Sequence, residues 1–293
     1  MLDKYDLTKV VSAKNDILAT QYYTEPNMEL TAKQKQLILF LVSRIEKGDT
    51  DLKTETITIS DYCEFFNINY NGGTNRKTLR KSIGELYKKF FFLETAPNIE
   101  TACRWLDSVV IDHGKGIMHI KLSDCLKPYY LNLQERFFAY QLGYTLHFKS
   151  HYSYVLYEFL KSRDHQKDGI IWVEVDYIKD FIAHNKYSKF SDFEKRVLKP
   201  AVAEINAQTD ITVVYKAFRD TKGTGRKYRK MYFKITPKTD EEMKKIDTIA
   251  DWKFNRKTAA EQTADEIEVF LDEQMVLPGF ESSDDLECVD DEE

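Results

Sequence analysis

The chain has 293 residues, 42% hydrophobic and 31% charged, with 18 Tyr and 18 Phe, which suits about two domains with aromatic cores. No apolar run approaches the roughly 18 residues of a membrane span, and the start, "MLDKYDLTKVV", lacks the apolar core of a signal peptide. A membrane protein is excluded on this reading and a cytoplasmic location is expected. The net charge of −5 hides a split, because all 43 Lys and Arg precede Thr258. Against 34 acids they give the body +9, while the last 36 residues hold 14 acids and carry −14. A basic body points to nucleic acid, and an acidic extension to a disordered or protein-binding segment.

In chain order, "TAKQKQLILFLVSRI" places Leu37, Phe40, Leu41 and Ile45 at helical spacing. A short strand "TETITIS" follows, then a helix expected to begin at Asp61, a Gly-Gly turn, and a basic helix "TNRKTLRKSIGELYKKF". The unit closes on a hairpin: "ACRWLDSVVID", a turn at "HGKG", and "IMHIKLS". "YYLNLQERFFAYQLGY" then reads as a connecting helix or an interdomain packing element. The same order recurs as "SHYSYVLYEFLKSR", "GIIWVEV", "DYIKDFIAH", "SDFEKRVLKPAVAEIN" and the hairpin "ITVVYKAF…YRKMYFKI". Asp61-Tyr62 and Asp176-Tyr177 open the same helix in the two copies. Helix–strand–helix–helix–hairpin is the winged-helix plan. The fold class expected is therefore α+β, two tandem winged-helix domains with an acidic, disordered C-terminal tail. The expected divisions are 1–130 (first domain), 131–146 (connecting element), 147–238 (second domain), 239–257 (linker) and 258–293 (tail).

The third helix of the second unit carries the strongest functional signal. Ser191 and Glu194 have capping-box spacing, predicting a helix start near Asp192. Phe193, Val197, Leu198, Ala201, Val202 and Ile205 share one face, and Lys195, Arg196, Lys199 and Asn206 share the opposite one with Asp192 and Ala203. Such a polar face suits a helix entering the major groove. Pro200 is expected either to kink this helix or to begin a separate short one. From Lys216 to Lys234 there are eight basic residues, among them Arg219, Lys222, Arg226, Lys227, Arg229 and Lys230, against the single acid Asp220. Phosphates are the natural partner for so much like charge. The first unit offers a weaker counterpart in Arg76, Lys77, Arg80 and Lys81, with only Lys115 in its turn. It reads as an auxiliary phosphate-binding surface, a dimerisation surface, or both.

With these residues in view, the chain resembles the replication initiator (Rep) proteins of iteron-containing bacterial plasmids. "YSKFSDFEKRVLKPAVAEINAQTDITVVY" with its basic wing carries the likeness, "RVLKPAVAEIN" being its most specific part, and the opening "VVSAKNDILATQYYTEPNMELTAKQKQLILFLVSRI" agrees as well. The resemblance spans roughly residues 8–238. It implies two winged-helix domains that bind origin repeats as monomers and help open the origin. It also implies dimers that repress the chain's own promoter. By position, the recognition helix is Ser191–Asn206, the wing Arg219–Lys230, and the first-domain equivalent Thr74–Tyr87. A winged-helix repressor without initiator activity fits the same residues.

Catalysis is not encoded. Rolling-circle nicking needs a His–hydrophobe–His cluster, and none of the six histidines forms one; His147 and His151 are spaced i, i+4 without the other ligands of a zinc site. "GGTNRKT" and "GTGRKY" do not fit a phosphate-binding loop. No cofactor or metal is expected, and the cysteines read as reduced thiols. The partners expected are double-stranded DNA, a second copy in one state, and a host helicase, initiator ATPase or sliding clamp. In the tail, Gln274, Leu277 and Phe280 give "QMVLPGF" the pattern of a clamp-docking peptide; the alternative is an acidic spacer.

Overall fold

The computed structural model describes residues 10–14, 17–18, 28–66, 75–96, 98–133, 137–164, 167–219 and 227–246. The first unit opens with β1 (Val10–Lys14) and α1 (Ala32–Val42). A capping box starts α1: the Thr31 hydroxyl accepts from the Gln34 backbone N–H, and the Gln34 side chain accepts from that of Thr31. Then come β2 (Thr54–Thr58), α2 (Ile59–Phe65), α3 (Asn75–Tyr87), β3 (Phe90–Ala96), β4 (Ile99–Arg104), β5 (Leu106–Asp112) and β6 (Ile117–Leu122). After α4 (Lys127–Tyr130) and β7 (Phe137–Gln141), the second unit runs α5 (His151–Lys161), β8 (Ile170–Glu174), α6 (Val175–Ala183), α7 (Phe190–Phe193), α8 (Lys199–Gln208), β9 (Ile211–Arg219) and β10 (Tyr228–Pro237).

The two units share a sheet topology. Strand order is β2-β6-β5 in the first and β8-β10-β9 in the second, each antiparallel with the last strand in the centre. Strand alternation aims Ile57, Met118 and Ile120 in one unit, and Ile171, Met231 and Phe233 in the other, toward the helices. Gly169, leading into β8, has φ +63°, and a Cβ there would lie 2.4 Å from the Ile235 carbonyl oxygen. Only glycine fits that approach.

The first unit departs from the expected plan. The segment read as one strand, "ACRWLDSVVID", is two, interrupted at Trp105, whose buried ring lies 4.5 Å from Phe91. β3 pairs with β4 as a separate two-stranded sheet inserted between α3 and the wing hairpin, with no counterpart among the described residues of the second unit. The connecting segment is an interdomain packing element and not a long helix: β7 pairs antiparallel with β1, from Val10–Gln141 to Lys14–Phe137. Its partner lies over a hundred residues upstream, which no local pattern reports. The helices expected at Asp61 and Asp176 begin at Ile59 and Val175.

The units are joined through their first helices. Lys35 of α1 pairs with Glu158 of α5, which also accepts from the Tyr140 hydroxyl of β7. The Gln36 side chain donates to the Leu146 and Phe148 carbonyls, and the His184 ring lies 3.0 Å from the Glu29 carboxylate. Among the described residues no helix is long and apolar enough to cross a membrane.

Candidate nucleic-acid interface

The helix bearing Lys195, Arg196 and Lys199 is built around its proline. An α-helical turn would drive the Pro200 ring into the carbonyl of Arg196. Residues Glu194–Leu198 instead form a π turn, with the Lys199 N–H bonded to the Glu194 carbonyl. Leu198 and Lys199 keep right-handed helical angles, so α7, the π turn and α8 run on as one helix. Pro200 follows the π turn directly, at the start of α8, so the widened turn and not a free helix end accommodates its ring and its missing N–H. The proline neither ends nor splits the helix; the wider turn absorbs it.

The expected faces separate as the apolar pattern requires. Phe193, Val197, Leu198, Ala201, Val202 and Ile205 are buried, while Ser191, Asp192, Lys195, Arg196 and Lys199 are exposed. Two details differ from the sequence reading. The helix starts at Phe190 with Lys189 at its cap and no side-chain cap bond, so Ser191 and Glu194 form no capping box. Glu194 instead accepts from the Tyr215 hydroxyl at 3.0 Å, a contact across to β9. Asn206 does not join the cationic face: its amide bonds the Val213 N–H and carbonyl at 2.7 and 3.1 Å.

These two contacts clamp the helix to β9, the strand that leads into the wing, Glu194–Tyr215 toward one end and Asn206–Val213 toward the other. Burial, then the Glu194 carboxylate, pushes the Tyr215 phenol well above its usual pKa, so it stays a donor at neutral pH. Phe190 packs on Tyr228 at 4.5 Å, and the Arg219 guanidinium lies 4.9 Å over the same Tyr228 ring. At the helix C-terminus, the Lys238 ammonium bonds the Asn206 and Thr209 carbonyls, which complements the helix dipole. The cationic groups of the helix and those of the wing's two described strands therefore belong to one packed unit.

On the wing, Arg219, Lys227, Arg229 and Lys230 are exposed; Lys222 and Arg226 lie outside the described residues. Lys227 is 2.8 Å from Asp176 in the first turn of α6, an ion pair that sequence spacing gave no means to find. That pair engages one wing cation, and the Lys227 hydrogen bond holds the Asp176 carboxyl below the usual carboxylate range.

The first unit presents Arg76, Lys77, Arg80 and Lys81 exposed on α3, around the buried Leu79 and half-buried Ile83. Lys81 lies 3.9 Å from Glu85, and Lys115, the one cation of its wing turn, lies 4.0 Å from Asp112. Its potential is accordingly weaker. His151 opens α5 half-buried with both ring nitrogens shielded from water, and burial holds it uncharged with its pKa near 4. Gln274, Leu277 and Phe280 lie outside the described residues.

Residues 11–161 match the family described as Initiator Replication protein, WH1, and residues 175–235 the one described as Initiator Rep protein, WH2. The chain is 28% identical over 151 residues to the PI protein of Escherichia coli, an alignment covering 46% of this chain and 49% of that relative. It thus spans about half the relative's length. A crystal structure of Pi initiator protein in complex with iteron DNA superposes with a TM-score of 0.60 at 18% identity, covering 80% of this chain and all of that one. That likeness establishes the tandem winged-helix fold.

Proposed function

Because this chain belongs to the Rep initiator family, with its WH1 and WH2 domains in tandem, we propose that it is a sequence-specific DNA-binding initiator of plasmid replication. It binds repeated sites in an origin, helps open the adjacent duplex and recruits host replication proteins. It also represses its own promoter. The observation that carries this reading is the cationic surface of the second unit. Lys195, Arg196 and Lys199 stand on a helix bonded to β9, the strand that leads into a wing bearing Arg219, Arg229 and Lys230. The helix reads base edges, and the wing positions the protein on phosphates. The related Pi protein was crystallised on iteron DNA, which supports repeated origin sites as the ligand.

Two winged helices facing successive major grooves cover about 20 base pairs. In this reading α3 of the first unit adds phosphate contacts through Arg76, Lys77, Arg80 and Lys81, and the first unit supplies the dimer surface in the repressing state. The activity is binding and duplex opening, without covalent chemistry, and it operates in the cytoplasm. Host helicase, initiator ATPase and sliding clamp are the partners such an activity calls on.

Footprinting on the plasmid that encodes the chain, with permanganate probing of the neighbouring AT-rich segment, tests the reading. Protection of direct repeats with new thymine reactivity beside them supports an initiator. Protection without duplex opening would assign the same surface to a repressor.

A further inference from the structure

The outer face of the second sheet, away from the helices, is not explained by binding duplex DNA through helix and wing tip. Trp172 of β8 is 59% exposed, Phe218 of β9 37% and Val214 of β9 39%. Trp172, Tyr232 and Phe218 form a ring cluster with centroids 5.2 to 5.9 Å apart. Register sets these rings among cations. Tyr232 of β10 lies opposite both Trp172 and Lys216, Lys230 opposite Phe218 and Glu174, and Lys234 opposite Val214 and Ile170. Lys216, Lys230 and Lys234 are exposed, and Lys216 sits 5.6 Å over the Phe218 ring.

The first unit provides an internal control. At the matching positions its outer face carries Thr54, Thr56, His119, Lys121, Ile117 and the exposed Val110, with Thr56 hydrogen-bonded to His119: apolar side chains occur there, but no Trp, Tyr or Phe. The winged-helix fold therefore does not demand aromatic residues there. Exposed rings clustered on one sheet face are a candidate interaction surface.

We propose that this face is the docking site of the chain's own acidic C-terminal segment, residues 258–293. The segment carries 14 acids and no base, with Ile267, Val269, Phe270 and Leu271 set among them, which complements a face of rings and lysines. It is also tethered to that face. β10, the central strand, ends at Pro237, and the described chain stops at Ile246. The intervening residues 247–257 reach up to about 40 Å when extended, enough to return along a strand of about 33 Å. A short tether gives an effective concentration in the millimolar range, so the tethered polyanion outcompetes a free polyanion of similar intrinsic affinity. Docking covers Trp172 and sets negative charge beside the wing.

The test uses the full chain carrying Trp252→Phe, in which Trp105 is buried and Trp172 is the accessible indole. Acrylamide quenching of Trp172 is expected to be weak at low salt. It should rise at least about twofold in high salt, where charge attraction is screened, or when Ile267, Val269, Phe270 and Leu271 are all changed to Ser. A free peptide of residues 258–293 should restore protection to that Ser variant. Quenching that is already strong in the full chain and unmoved by the Ser substitutions would overturn the proposal. So would protection that grows with protein concentration, which would assign the face to a second copy. Protection conferred only by a single-stranded oligonucleotide, with the Ser substitutions silent, would assign it to nucleic acid and equally overturn the proposal.

Discussion

Lys35 of the first unit and Glu158 of the second form an ion pair of 2.9 Å with side chains only 6% and 4% exposed. The Tyr140 hydroxyl satisfies the second carboxylate oxygen at 2.9 Å, and the Lys35 ammonium sits 5.9 Å from the Trp105 ring. The two winged helices are thus joined through a desolvated charge, where breaking one partner strands the other. Lys35→Met or Glu158→Gln should each cost about 3–5 kcal/mol in urea unfolding, whereas Lys35→Met with Glu158→Leu should recover much of the loss. Equal losses in the single and double variants would mean that packing, and not the pair, sets stability there.

Arg196→Ala should lose about 1–3 kcal/mol at the target repeat and relax preference at one base position. Neutralising Arg226, Lys227, Arg229 and Lys230 should weaken every sequence alike and lower the salt slope by about one unit per lost phosphate contact. Titrations of repeat and scrambled duplexes at several salt concentrations separate the two outcomes.

Asp176 holds Lys227 at 2.8 Å, so Asp176→Asn should release a wing cation and tighten DNA binding. The gain should shrink as salt rises. Its folded carboxyl titrates below the ordinary value, so the pair is intact at neutral pH and is lost as pH falls through that lowered pKa. Fluorescence anisotropy at low and high salt checks the direction.

His151 is neutral in the folded protein because burial, aided by nearby Lys35 and His184 and opposed by Glu29, lowers its pKa to about 4. Between about pH 6.5 and that value the unfolded chain binds a proton the folded one refuses. Stability should therefore decline as pH falls through this window, by on the order of 3 kcal/mol from this group. His151→Phe should flatten that part of the curve, measured by denaturant midpoints from pH 7 to 4.

Much of this architecture could be read locally. The apolar stripe Phe193–Ile205 fixed which side of the helix is buried, because a helix cannot leave six such residues in water. The repeated order of elements was equally legible, since each unit carries its own period changes and turn residues. Trp105, which divides one expected strand into two, was not legible: its aromatic character suits a strand, and it is tertiary neighbours such as the Phe91 ring that draw it into the core. Likewise Glu194 has the spacing of a capping residue, yet Tyr215 offers it a better partner from another strand.

The sequence by itself determined the two winged helices, the location of positive charge and the family likeness, because patterning, charge and motif are properties of neighbouring residues. Tertiary structure alone decided the β1–β7 pairing, the Lys35–Glu158 joint, the Asp176–Lys227 pair and the ring cluster around Trp172. Each of these joins groups tens to more than a hundred residues apart. Their energies depend on burial and register, which exist only after the chain has folded back on itself.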